Sequence, residues 1–280
     1  MDHQCMDHDQ VLALLPDRAP DGHKGDFGKI LLLCGSRGYT GAAALAAMGA
    51  LRCGAGLVYL GVPESIYAIE AMKLTEPIVF PLPDKNGMLS VCSIDQIRSL
   101  LPKMDAVLIG CGLGISDDTL AVLKMVLMEY AGPVIVDADG INLLAKHKDI
   151  LRGRTGSTIL TPHAGEFARL GYSGERMESA RQAAKALNAI VLLKGYRTVI
   201  TDGVHTYLNL TGNPGMATGG SGDVLAGMIT AFVGQGIAPL NATALASWLH
   251  GSAGDICAAK LGQYAMLPSD MLEVLPRLMK

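Results

Sequence analysis

Between Gly212 and Ile229 the chain reads GNPGMATGGSGDVLAGMI, with three glycines in four positions running straight into an apolar helical pattern. Flexible residues at such a junction present bare backbone N–H groups at a helix N-terminus, where an anion is favoured. Asp223 falls in the first turn of that helix. It could be a capping carboxylate, but a cap needs one polar residue and not three surrounding glycines that cost chain entropy. A carboxylate held beside a bound phosphate is placed to take the proton from a hydroxyl that attacks it. Asp223 is therefore the candidate catalytic base.

Ligands of open α/β sheets gather outside the carboxyl ends of the strands, so the other strand-ending loops matter. GSRGYTGAA, Gly35 to Ala43, joins a strand to an Ala-rich helix that could bring N–H groups near an anion, with plain turn chemistry as the alternative. GCGLG, Gly110 to Gly114, has the look of a dinucleotide fingerprint but lacks the fourth spaced glycine, which argues against a Rossmann site. TPHAGEF, Thr161 to Phe167, puts His163 three residues before Glu166. His163 could donate a hydrogen bond to a substrate, and Glu166 could organise Mg²⁺ through water or merely favour a helix N-terminus. Asp137 and Asp139 in VDADG are candidate lining residues or helix caps. Lys194 and Arg197 in LKGYRT bring two cations to a strand end, where nucleotide phosphate is the expected partner.

These loops need a scaffold, and the intervening sequence supplies one. Candidate strands are Lys29 to Cys34, Leu57 to Val62, Ile78 to Pro81, Ala106 to Ile109, Val134 to Asp137, Thr158 to Thr161 and Ile190 to Lys194. Near-continuous apolar runs such as KILLLC imply strands covered on both faces. Helical patterns alternate with them at Gly41 to Cys53, Ile94 to Leu101, Asp117 to Tyr130, Gly140 to Leu151 and Glu175 to Asn188. That alternation predicts βαβ units around a mostly parallel sheet, an α/β fold. TVITDG and VHTYLNL predict a hairpin about Asp202 and Gly203, and the last third is helical at Gly222 to Val233, Pro239 to Lys260 and Ser269 to Met279.

Of 280 residues, 50% are apolar and 18% charged, which excludes a disordered chain. The longest nearly uncharged small-apolar run, Thr40 to Leu51, is too short to span a bilayer. A net charge of −3 with scattered Lys and Arg argues against nucleic-acid or anionic-membrane partners. Thirty-four glycines suggest many close backbone approaches. The six cysteines show no C-x-x-C spacing and read as reduced, mostly buried residues of a cytoplasmic protein. His3, Cys5 and His8 could bind a metal in principle, but a frayed terminus is the expectation there.

Taken together, GNPGMATGGSGDVLAG resembles the anion-hole and catalytic-Asp motif of the ribokinase-like superfamily. With the segment His23 to Val58, GCGLG, VIVDADGINLL, TPHAGEF, LKGYRT and the closing SWLHGSAGD at Ser247 to Asp255, the chain is similar to the ADP-dependent (S)-NAD(P)H-hydrate dehydratase family. The resemblance runs from about His23 to the C-terminus and implies a three-layer α/β/α domain over 23–280, with 1–22 as an extension and no epimerase domain. It also implies repair of hydrated NADH or NADPH using ADP and Mg²⁺, in a cytoplasmic homo-oligomer, a tetramer in the family. Carried over, it sets the nucleotide against Lys194, Gly195, Tyr196, Arg197, Thr198, Asn213, Gly220, Ser221 and Gly222. The hydrate contacts Ala42 or Ala43, Gly112, His163 and Asp223, and Glu166 serves Mg²⁺. Related kinases more often carry Asn where this chain has His163, which favours a dehydratase over the runner-up, a vitamin-precursor kinase of the same superfamily.

Overall fold

In the computed structural model, which describes residues 4–5 and 7–280, the apolar runs become strands and the segments between them become helices. The chain opens with α1 (His8–Leu12), β1 (Lys29–Leu33), α2 (Thr40–Arg52), β2 (Leu57–Pro63), α3 (Glu64–Lys73) and β3 (Ile78–Leu82). A small hairpin of β4 (Asp84–Lys85) and β5 (Met88–Leu89) leads to α4 (Ile94–Leu100), β6 (Ala106–Ile109), α5 (Asp117–Glu129) and β7 (Val134–Val136). Then come α6 (Asp139–Leu144), β8 (Thr158–Leu160), α7 (Ala164–Arg169), α8 (Arg176–Leu187) and β9 (Ile190–Leu193). The hairpin β10 (Thr198–Thr201) and β11 (Thr206–Asn209) precedes three helices, α9 (Ser221–Gly234), α10 (Pro239–Leu261) and α11 (Pro268–Leu278).

The main sheet has the order β11-β10-β9-β8-β7-β6-β1-β2-β3. Strands from β3 to β9 in this order are parallel, and β10 and β11 close the edge antiparallel. Successive residues of β1 face opposite cores: Ile30 and Leu32 pack under α2, α9, α10 and α11, while Leu31 and Leu33 join the core beneath α5, α6 and α8. Burial on both faces explains why the strand reads as unbroken apolar sequence. The result is the expected three-layer α/β/α arrangement.

Two features of this frame position the site. Register aligns the ends of β1, β6, β7 and β8, with Leu33 opposite Ile109, Ile109 opposite Val136 and Val136 opposite Leu160, while β9 runs two residues past Val191, the partner of Leu160. The residues just beyond these ends therefore form one row, and the sheet order reverses at β1, where a crevice opens. The second feature is the Ala-rich α2, which lies so close to α9 that a Cβ on Gly49 would meet the Val224 carbonyl oxygen at 2.5 Å. On the facing side, a Cβ on Gly227 would meet the Ala46 carbonyl oxygen at 2.0 Å. Small residues on both helices fix the helix that carries Asp223.

Three expectations change. The helix predicted over Gly140 to Leu151 is two pieces, α6 and a 3₁₀ stretch at Lys148–Gly153, because the polar run Lys146 to Asp149 offers no apolar stripe to bury. Short elements α1, α3, α7 and the β4–β5 hairpin went unpredicted. The N-terminal segment is docked and not frayed: the Gln4 N–H donates to Thr206 O at 2.9 Å, the Leu208 N–H donates to Gln4 O at 3.0 Å, and Val11 is fully buried. The unpaired edge of β11 supplies its partners. His3 lies outside the described residues, Cys5 is exposed, and the His8 ring faces Trp248 with centroids 5.7 Å apart. All six cysteines are free, with Cys34, Cys53, Cys111 and Cys257 buried. Among the described residues no helix is long and apolar enough to cross a membrane.

Candidate active site

The row of strand ends brings together residues far apart in sequence. Asp137, one residue beyond β7 and 1% exposed, accepts from Thr161 Oγ1 at 2.6 Å and from Lys194 Nζ at 2.8 Å, both at its Oδ1. Its Oδ2 lies 3.6 Å from Cys111 Sγ, beyond β6. Asp223 reaches the same point from α9, and ligand-type atoms of Cys111, Asp137 and Asp223 all lie within 4.8 Å of one another. This is the one group with such geometry among the described residues.

Helix α9 starts on Gly220, whose φ of 102° only glycine adopts without strain. The Gly222 backbone stands close against both charges: a Cβ there would lie 3.3 Å from Lys194 Nζ and 3.8 Å from Asp137 Oδ2. The first-turn N–H groups have no intrahelical acceptor, so those donors and the Lys194 ammonium face one space. Asp223 stands at its edge. Burial, reinforced by the negative charge of Asp137, pushes its carboxyl up to about 6, with the Cys111 thiol and Lys194 opposing. Burial alone would weaken the charge on Lys194, yet Asp137 and Glu166 more than compensate and raise its pKa. Lys194 is thus a firmly held cation. The Cys111 thiol is driven well above its ordinary range by its hydrogen bond with Cys34, by burial and by the two nearby carboxylates.

His163 caps α7. Its Nδ1 accepts from the N–H groups of Gly165 (2.9 Å) and Glu166 (3.3 Å), which places the ring proton on Nε2, and the side chain is 54% exposed. Glu166 is buried, with Oε2 accepting from the His163 N–H at 2.9 Å and Oε1 lying 3.4 Å from His163 Nε2. On the far side of the crevice the loops after β1 and β6 interlock, the Gly35 N–H donating to Cys111 O (2.8 Å) and Ser36 Oγ to Gly112 O (2.8 Å). Gly112 packs against Tyr39 and Ala42. Ala43 is fully buried behind Gly35, so Ala42 is the member of the pair at the crevice.

The nucleotide residues divide. Lys194 turns inward to Asp137, while Gly195, Tyr196 and Arg197 form an exposed turn closed by Thr198 Oγ1 donating to Gly195 O at 2.9 Å. Arg197 has a φ of 56° and its guanidinium lies 5.4 Å from the Tyr196 ring centre. Asn213 caps the following turn, its Oδ1 accepting from the Gly215 N–H at 3.0 Å. Ser221 is buried, and its N–H donates to Thr218 O at 3.4 Å. Sequence reasoning passed over Cys111, read as an ordinary buried thiol. The signal was its place between two glycines at a strand end.

A family model described as NAD(P)H-hydrate dehydratase matches residues 30–277. The chain is 45% identical over 275 residues to the bifunctional NAD(P)H-hydrate repair enzyme Nnr of Moorella thermoacetica, covering 95% of this chain and 52% of that protein. The chain thus spans about half the length of the curated relatives it matches. Among solved structures, the ADP/ATP-dependent NAD(P)H-hydrate dehydratase of Bacillus subtilis, co-crystallised with ATP and Mg²⁺, superposes with a TM-score of 0.86 at 32% identity, covering 99% of this chain and 98% of that one. Hydroxyethylthiazole kinase of Pyrococcus horikoshii, at 16% identity and a TM-score of 0.61 over 96% and 92% of the two chains, shares the fold.

Proposed function

The chain belongs to the NAD(P)H-hydrate dehydratase family, and we propose that it converts (6S)-hydrated NADH or NADPH back to the intact cofactor at the expense of ADP, releasing AMP and phosphate. The observation that carries this reading is Asp223, a carboxylate whose ionisation sits near neutrality beside a bare helix N-terminus and the Lys194 ammonium. The hydrate lies toward Ala42, Gly112 and His163, whose Nε2 proton suits a neutral polar group. The nucleotide lies along the Lys194–Thr198 turn, Asn213 and the Gly220–Gly222 loop.

In this reading Asp223 takes the proton of the hydrate hydroxyl as that oxygen attacks the β-phosphorus of ADP. The new O–P bond replaces the bond to AMP, and the first-turn N–H groups with Lys194 take up the transferring charge. Phosphate then leaves with the C–O bonding pair and a proton departs from the neighbouring ring carbon, restoring the double bond. Mg²⁺ would neutralise phosphate charge. It keeps several waters when bound, which fits Glu166 as a water-mediated holder, because one Glu166 oxygen is already committed to its own helix cap. Cytoplasmic location and a homo-oligomeric, tetrameric assembly belong to the same proposal.

The test is incubation with an NADH-hydrate mixture and either ADP or ATP, following dihydronicotinamide absorbance and free phosphate. Absorbance recovery with stoichiometric phosphate is expected. A stable phosphorylated product without absorbance would make the protein a kinase, and no turnover with either nucleotide would overturn the reading.

A further inference from the structure

The motif SWLHGSAGD is unused by the chemistry above, yet four of its residues fall on one face of α10. Ser247, Gly251, Gly254 and Asp255 follow the spacing i, i+4, i+7 and i+8. That face receives the connection between β11 and α9. The Asn209 amide donates to Ser247 O at 2.9 Å and to Ser247 Oγ at 3.1 Å, and Thr211 Oγ1 donates to Trp248 O at 3.1 Å. Gly251 and Gly254 are bare because Thr211 and Met216 press on them, within 2.1 and 2.4 Å of where a Cβ would stand. Asp255 ends the series. Its Oδ2 accepts from the Gly212 N–H and its Oδ1 from Asn213 Nδ2, both at 2.9 Å.

Asn213 is therefore clamped at both ends. Its Nδ2 is held by Asp255 and its Oδ1 by the Gly215 N–H, which fixes the side-chain amide and the turn that carries it. Asp255 itself is exposed and touches none of the residues around Asp223 by any hydrogen bond or ion pair in the structure, so it has no direct part in proton transfer. We propose that Asp255 is a positioning residue for the nucleotide, orienting the Gly212–Asn213 turn through a two-point carboxylate clamp. The inference rests on the reading of that turn as part of the nucleotide site.

The sign of the effect separates this role from simple electrostatics. A carboxylate that acted only through its charge would repel ADP, and Asp255→Asn would tighten binding. A clamp predicts the opposite, since Asn keeps the shape but can accept at only one of the two oxygens. Losing one charge-assisted hydrogen bond corresponds to roughly tenfold or more, so calorimetric ADP affinity of Asp255→Asn should fall about tenfold. The KM for ADP should rise in parallel, while kcat and the KM for the hydrate stay within about twofold. Because both residues act on one turn, the Asp255→Asn and Asn213→Ala losses should combine to less than their product. Melting temperature of each variant checks the fold. Unchanged or tighter ADP binding by Asp255→Asn, or a fully multiplicative double variant, would overturn the inference alone. A parent chain that binds no ADP would overturn the nucleotide reading and the inference with it.

Discussion

Asp223 is the proposed base, and its surroundings give a pH signature. Its folded-state pKa of about 6 lies above the ordinary carboxylate value, so ionisation of this group costs folding free energy. The favourable contribution is fully present below the unfolded value near ~4 and is lost as pH rises through about 6. Asp223→Asn removes that cost and should be as stable as the parent or more so at pH 7.5. Thermal melts from pH 7.5 to 5 should show the parent gaining on the variant as acid is added. Turnover goes the other way, falling by about 10² to 10⁴ in the variant and, in the parent, falling as pH drops through about 6. A variant of near-parental turnover would remove Asp223 as base. The sequence made Asp223, His163 and Lys194 legible as candidates, because Asp223 follows a glycine-rich loop into a helix and the other two follow apolar strands. It could not reveal that Lys194 pairs with Asp137, since those residues are 57 positions apart and meet only through the register of β7, β8 and β9. The consequence is that losing Lys194 does more than weaken the phosphate contacts proposed for it, because it strands a buried carboxylate.

At the scale of elements, the junction of β7 and α6 is the strained one. Ala138 has φ 49° and ψ −116°, between Asp137 and an Asp139 whose Oδ2 accepts from the Gly114 N–H at 2.9 Å. An alanine in such a region costs about 1 to 3 kcal/mol, of which a glycine would return part, less its own entropy cost of roughly 0.5 to 1 kcal/mol. Ala138→Gly should therefore raise stability by about 1 kcal/mol in urea unfolding. Across the crevice the opposite holds. A Cβ on Gly110 would meet the Asp137 carbonyl oxygen at 2.0 Å, so Gly110→Ala should lose both stability and turnover by displacing the end of β7. Elements with long apolar or periodic runs were readable from sequence, including every strand that ends at the site. Two kinds of element were not: α3, whose ten residues bury only Ile66 and Glu70 and so carry no apolar stripe, and α7 and β4–β5, which are too short to be held by their own pattern. Likewise, the Ala-rich α2 looked like a partner of phosphate, and its larger role is to let α9 approach.

As a whole, the molecule draws its candidate site from segments that run from Gly35 to Asp255, so no single βαβ unit contains it. The N-terminal segment lies outside that assembly, against β11 and α10. Removing residues 1–12 uncovers the pocket of Val11 and the edge of β11. A buried valine is worth roughly 1.5 to 3 kcal/mol, so the truncated protein should melt a few degrees lower by calorimetry while keeping its turnover. The ring that His8 faces, Trp248, is the chain's single tryptophan, and its own carbonyl accepts from Thr211 in the connection leading to Asn213. One indole thus stands between the docked terminus and the turn proposed to hold the nucleotide. Excited at the red edge, where the eight tyrosines do not absorb, ultraviolet emission from this protein has one origin, and a change in its colour or intensity on adding a nucleotide is news from that seam, with no dye attached.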